Sequence, residues 1–344
     1  MGLFKTLKGS ATSNTTSNES PFQQSTQPST SAEFKAISVP PPYPPPPGPP
    51  PSLNPPPYHD WQSFTPDTSL LPPPPPFSAT HPNLSSTHNA SYDAAAAGHE
   101  FCRLNPPFTP SMPASKVHAA AQAGRIGLVA ANEFLGKVEL KATGGGSYGE
   151  IWHIKSTKRC PDANLISTLP MYFAARDSPL RTEIPKTIYY EVRILSMRGE
   201  ESVIAVGFAG KPYPGWRLPG WHRGSIGAHG DDGRRFVNDS WGGIDFVGRF
   251  REGETVGIGI RFSVSENQEV SRRELCLGEA FFTRDGMVEG RWRMDEERDA
   301  ERDQGGVEGL LGEGDLYACA GCCGFMEFEV VVERKAWLYR GDGT

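Results

Sequence analysis

Residues 220–239 read GWHRGSIGAHGDDGRRFVND. Five glycines, two histidines, three acids and three arginines stand in twenty residues. Three readings compete: a catalytic loop, a phosphate cradle, or the turn-rich part of a β fold. A catalytic or metal reading of His229, Asp231 and Asp232 needs a nucleophile motif or further ligands, and the sequence supplies neither. The β reading needs strands on both sides. GSIGAHG and RRFVND fit them, with Gly227, Gly230 and Gly233 where φ is positive or backbones approach closely. Asp231 and Asp232 suit the turn between, because their side chains bond nearby backbone amides.

The flanking sequence supports the β reading. From residue 137 onward, short apolar runs separated by turn residues follow one another: KVELKA, EIWHIK, PMYFAA, TIYYEVRIL, SVIAVGFA, TVGIGIRFS, ELCLGEAFFT and FMEFEVVVE. In TIYYEVRIL the residues Ile188, Tyr190, Val192 and Ile194 share one face. Such an array without intervening helices predicts a β-sandwich. GGGSYGEIWHIK, 144–155, contains Gly-x-Gly-x-x-Gly, but EIWHIK alternates as a strand, and a dinucleotide fingerprint requires a helix there. A kinase loop would need His-Arg-Asp and Asp-Phe-Gly strings, which are missing. CAGCC, 319–323, holds one Cys-x-x-Cys without the second pair of a structural zinc. DLYACAGCCGFMEFEVVV reads as strand, small-residue turn and strand, with small buried cysteines. No catalytic residue, metal or cofactor is expected.

The first 114 residues differ in kind. Nineteen of the chain's 33 prolines fall between Pro40 and Pro76. The region is rich in Ser, Thr, Asn and Gln and poor in Val, Ile and Leu, so it is expected to be a disordered arm. Within it DAAAAGHEFCRL, 93–104, has the composition of a short helix ending before Pro106. Residues 115–136 read as a helical lead-in, with Ser115 as cap and Gly124 as stop. His118 is expected at the surface. Residues 137–338 form the sandwich, with a charged insertion around 291–314 that includes MDEERDAERDQGG.

The arm carries PPPY twice, at 40–43 and 55–58. Proline-rich chain populates polyproline II, a preformed shape that aromatic grooves bind at low entropic cost. Pro-Pro-x-Tyr resembles the ligand of group I WW domains. That resemblance implies that Pro40 and Pro41 stack in an aromatic groove while Tyr43 fills a separate pocket. Pro55, Pro56 and Tyr58 repeat the arrangement. PPPPGPPP and LPPPPPF, 71–77, resemble looser ligands of profilin, SH3 or EVH1 modules.

YYEVRIL, SVIAVGFA, LPGWHRGSIGAHGDDGRRF, FREGETVGIGIRF and AFFTRDG, in this order, resemble a SPRY domain over about 187–334. The likeness extends to Ran-binding-protein-like scaffolds and to fungal SPRY adaptors of WW-domain HECT ubiquitin ligases, whose lead-in resembles LPMYFAARDSPLRTEIPKTIYYEV. It implies two packed antiparallel sheets, no enzymatic activity, and a loop surface that binds a cargo protein or peptide. In KPYPGWRLPGW, 211–221, the residues Tyr213, Trp216 and Arg217 are the candidates for that surface, being of the types that dominate binding hot spots. Trp221 is assigned to the core. The fungal adaptors act at endosomal and vacuolar membranes and usually carry a transmembrane helix. This chain has no apolar run of about twenty residues.

Net charge is −6 with no basic stripe, so nucleic acid is not an expected partner. The scattered cysteines fit a reduced, cytoplasmic protein. MGLFKT matches an N-myristoylation pattern with Gly2 as acceptor, which implies reversible peripheral contact with an endosomal, vacuolar or plasma membrane. The expected function is an adaptor joining a WW-domain HECT ubiquitin ligase to cargo for ubiquitin-dependent sorting. The alternative is a cytoskeletal or signalling scaffold that uses its polyproline runs for profilin, EVH1 or SH3 partners.

Overall fold

The alternating run around Tyr190 lies in the longest strand of the fold. The computed structural model describes residues 91–142, 151–240, 242–264, 276–294 and 307–341, all within the unit Pro72–Thr344. Its helices are α1 (Tyr92–Leu104), α2 (Ser115–Gln122), α3 (Ala174–Asp177) and α4 (Pro179–Thr182). Its strands begin with β1 (Leu128–Ala130), β2 (Val138–Ala142), β3 (Ile151–Ser156), β4 (Ala163–Ser167) and β5 (Lys186–Ala209). They continue with β6 (Ser225–His229), β7 (Arg234–Val237), β8 (Ile244–Asp245), β9 (Thr255–Val264), β10 (Cys276–Arg284), β11 (Met287–Arg293) and β12 (Tyr317–Val331).

The two long strands β5 and β12 pair antiparallel along their length and pass through both layers of a sandwich. In the first layer the order is β1-β4-β12-β5-β6-β7-β8. In the second, β3 pairs the Glu327–Val331 half of β12, and β9 pairs the Lys186–Arg193 half of β5. β2 and then β10 and β11 extend that layer on either side. Register shifts after Cys323 and Glu327 bend the pair between layers, and Gly199 and Gly324 take positive φ at the bend. Ile188, Tyr190, Val192 and Ile194 all point into the core shared by the layers, as their alternation predicts.

Four expectations are corrected. TIYYEVRIL and SVIAVGFA are two halves of one strand rather than two strands. The Cys-rich segment is continuous strand within β12, with the bend after Cys323, rather than a turn. Glycine is needed at 321, because a Cβ there would sit 2.6 Å from Leu218 Cδ2. PMYFAA forms only a bridge from Tyr172 to Leu316 before α3 begins. The charged insertion is shorter than 291–314: Arg291 to Arg293 belong to β11, and Leu310 is fully buried in the core. Residues 295–306 lie outside the described ones.

The ordered chain also starts earlier than residue 115. Ser91 caps α1 by accepting from Ala94 N at 3.2 Å. α1 is then held on the sandwich, with Ala95, Gly98 and Cys102 buried. In α2 the first helical residue is Ser115 itself, Ala114 is the cap without a side-chain bond, and Gly124 ends the helix at φ +74°. His118 is not a free surface residue: its Nε2 lies 2.7 Å from Asp177 Oδ1.

Candidate functional site

The loop 211–224 joins β5 to β6 at one end of the sandwich, and the candidate cargo-binding residues Tyr213, Trp216 and Arg217 lie on it. Its geometry follows from where the polar atoms go. Tyr213 donates from its hydroxyl to the Leu218 carbonyl at 2.6 Å, which ties the loop back on itself. Trp221 is 1% exposed and packs with Leu218 and Phe236, as its core assignment predicts. Arg217 lies over the Trp221 ring, its guanidinium carbon 4.1 Å from the ring centre. Its Nε donates to His222 Nε2 at 2.9 Å.

Arg217 is fully buried, which corrects its assignment to the exposed surface; Tyr213 and Trp216 are half-buried. The physical reason is α1. Phe101 meets Trp216 edge to face at 5.6 Å. His99 stands edge-on to His222 at 4.7 Å and bonds Ser240 Oγ at 3.0 Å. Arg223 donates to the carbonyls of Cys102 and Asn105 at the helix end. The chain then runs on as a strap: Phe108 N donates to the Lys211 carbonyl at 2.9 Å, and Ser111 donates twice to Asp315 Oδ2. The helix was legible in its alanines; its docking was not, because it depends on three side chains of a distant loop.

Burial sets the electrostatics under α1. It pushes the Arg217 pKa down to about 10. It pushes His222 down to about 3, with the charge of Arg217 acting in the same direction. His222 is therefore neutral and accepts from Arg217, while both Arg217 Nη atoms and His222 Nδ1 are buried without a hydrogen-bond partner. Arg217 and His222 are thus buried beneath α1 with unmet polar atoms, while His99, on α1 itself, is exposed and Arg223 is half-buried.

Gly98 is what lets the helix approach. A Cβ there would sit 2.2 Å from His222 Nε2. Gly98→Val is expected to release α1 while the sandwich stays folded. Hydrogen exchange at residues 94–105 would accelerate by about a hundredfold or more, since a released short helix has little protection. Unchanged protection would show that the ring of His222 yields instead.

The opening stretch is architecture. His229 is 1% exposed, stacks on Phe236 at 4.1 Å and bonds the Pro219 carbonyl at 2.9 Å. Asp232 accepts from Arg234 N at 3.0 Å, closing the turn between β6 and β7. Among the described residues no group of His, Cys, Asp and Glu is placed to hold a metal. All six cysteines are free thiols. The residues Gly2, Pro40, Pro41, Tyr43, Pro55, Pro56 and Tyr58 lie outside the described ones.

A two-layer antiparallel sandwich with an aromatic and cationic loop at one end is the frame of a recognition module. The SPRY domain family model matches residues 187–268, so that stretch of the chain is a SPRY domain. Over 161 residues it is 34% identical to human SPRY domain-containing protein 3, covering 44% of this chain and 34% of that one. It is 32% identical over 105 residues to protein ssh4 of Sclerotinia sclerotiorum, covering 30% of this chain and 17% of that one. With the Ran-binding proteins 9/10 homolog of Drosophila melanogaster it shares 34% identity over 93 residues, 27% of this chain and 9% of that one. The chain thus spans about a third or less of the length of these relatives. A crystal structure of a human SPRY domain aligns with 57% of this chain and 96% of its own, at 18% identity and a TM-score of 0.36. The SPRY domain is a protein-interaction module. No helix among the described residues is long and apolar enough to cross a membrane.

Proposed function

We propose that the chain is a non-enzymatic adaptor: its N-terminal arm recruits a WW-domain HECT ubiquitin ligase, and its SPRY domain holds the protein to be modified. The observation that carries this reading is the pair of Pro-Pro-x-Tyr motifs at 40–43 and 55–58 in the same chain as a protein-interaction domain. Eleven residues separate Tyr43 from Pro55. In polyproline II they span roughly 34 Å, at about 3.1 Å each, enough to reach two WW domains of one ligase. Linking two weak sites raises apparent affinity by as much as about 10²–10⁴-fold. Tyr43→Ala or Tyr58→Ala alone is expected to leave weak binding to a tandem pair of WW domains, and the double change to abolish it. Calorimetry against one WW domain and against the tandem pair measures this. Full-strength ligase binding by the double variant would overturn the adaptor reading. Recovery of actin regulators that survives both changes would favour a polyproline scaffold.

The cargo surface in this reading is the loop of Tyr213 and Trp216, with Arg217 buried beneath it, reached where α1 leaves it open or after α1 moves aside. An acyl chain on Gly2 supplies reversible contact with an endosomal, vacuolar or plasma membrane. One such chain gives marginal affinity, on the order of 10⁴ M⁻¹, so membrane residence also depends on bound cargo. Mass spectrometry of the mature N-terminus tests the acylation.

A further inference from the structure

The outer face of the second layer carries a recess that the loop surface does not touch. Two cross-strand rows build it. Thr187, Arg261, Glu279 and Arg293 stand side by side on β5, β9, β10 and β11, and so do Tyr189, Gly259, Phe281 and Arg291. Glycine is required in the second row, because a Cβ on Gly259 would lie 2.3 Å from Phe281 Cζ. The bare backbone lets the Tyr189 and Phe281 rings stack in parallel, 5.6 Å apart, as a floor.

A wall is added by the chain after β12. Glu191, 1% exposed, accepts from the amides of Leu338 and Tyr339 at 2.8 Å each and from the Tyr189 hydroxyl at 2.9 Å. These bonds pin Trp337 and Tyr339 against Tyr189, with ring centres 4.8 and 5.1 Å away. The recess so formed measures about 400 Å³.

Its lining includes five cations, Lys186, Arg261, Arg291, Arg334 and Arg340, and no carboxylate, Glu279 of the first row lying outside the lining. Asp177 lies 3.6 Å from Lys186, and Glu279 lies 2.8 Å from Arg291. Arg261, Arg334 and Arg340 have no carboxylate partner among the described residues. Such a concentration in a chain of net charge −6 calls for an anion. Guanidinium groups favour oxyanions that accept two parallel bonds. A phosphate monoester brings a charge of about −1.5 to −2 and three acceptor oxygens to one point. A flat membrane surface meets protruding cations; here they line a concave recess with an aromatic floor, which suits an extended peptide.

We propose that this recess is a second recognition site of the SPRY domain, specific for a phosphorylated peptide, with Arg261 and Arg334 as its principal phosphate contacts. It is independent of the Pro-Pro-x-Tyr reading, and either can fail alone.

The test uses the full chain and an array of short peptides, each synthesised with and without phosphate on serine or tyrosine. Retention of phosphorylated members at least tenfold above their unmodified twins is expected. Arg261→Glu with Arg334→Glu should remove that preference, with an unchanged melting temperature, while Arg251→Glu outside the recess leaves it intact. Equal retention of both twins, or a preference that survives the double reversal, overturns the proposal. A further arm uses vesicles of phosphatidylcholine with phosphatidylserine. Binding to these that depends on Arg261 and Arg334, without phosphopeptide retention, makes the face a membrane contact and also overturns it.

Discussion

Gly233→Val is expected to destabilise the sandwich by about 3 kcal/mol or more, enough to lower the melting temperature by about 10 °C for a domain of this size. Two costs act together. Gly233 has φ +79°, where a β-branched residue is strained by about 1–2 kcal/mol. Its Cβ would also lie 1.8 Å from the Val247 carbonyl oxygen, a backbone atom that moves only with its strand connection. That connection is not free to shift, because Val247 N donates to the Gly233 carbonyl at 2.9 Å. Gly253→Ala separates the two costs: φ is +88° there, yet nothing stands within 4 Å of the added carbon. It should lose only about 1 kcal/mol. Thermal melts of both variants decide the matter. Equal losses would mean that backbone conformation, and not the close approach, makes glycine necessary at 233.

The glycines illustrate how far the sequence could be read. Their spacing between β6 and β7 marked a β turn region, and the strands formed there. Which physical reason applied at each position was not legible. Gly230 does not take positive φ; it is needed because a Cβ would meet Phe250 Cδ2 at 2.7 Å and the Ile204 carbonyl at 2.9 Å. Both neighbours are remote in sequence. The same holds for β5. Period-two alternation identified Ile188, Tyr190, Val192 and Ile194 as an inward face, since that signal is local. It gave Tyr189 and Glu191 to the outer face, where they are nonetheless buried. The covering segment, Trp337 to Tyr339, arrives from nearly 150 residues away.

The candidate site divides along the same line. Trp221 was assigned to the core and Trp216 to the loop surface from residue type and local irregularity. Arg217 was placed outside for the same reason, and lies inside because Trp221 offers its ring face and α1 closes over it. A helix that docks through Gly98, His99 and Phe101 announces itself in composition only as a helix. The recess around Arg261 left no trace in the sequence either. Its cations come from β5, β9, β11 and the end of the chain, and no stretch of sequence holds more than two of them. Overall net charge concealed the patch.

Acidification from pH 7 to pH 5 is expected to remove about 2 kcal/mol of stability through His222 alone. The folded pKa is depressed to about 3 by burial and by Arg217, whereas the unfolded chain titrates near the ordinary histidine value of 6.5. The unfolded state therefore takes up the proton first. The stability is fully present above about 6.5 and is lost as pH falls toward 3, the opposite of a histidine that gains an acidic partner on folding. His99 adds to the loss, since burial and then Arg217 lower its pKa as well. Carboxylates join below about pH 5, so the histidines are read between 7 and 5. Denaturant titrations at the two pH values give the difference, and His222→Gln should reduce it by about 2 kcal/mol whatever it does to stability at pH 7. An unaltered pH dependence in that variant would mean that His222 protonates without global unfolding, by release of α1. Hydrogen exchange of α1 at pH 5 would then exceed that of the strands beneath it, after correction for the intrinsic rate. The cover over Trp216 would be the element that acid removes, and the loop would open at a pH where the sandwich still stands.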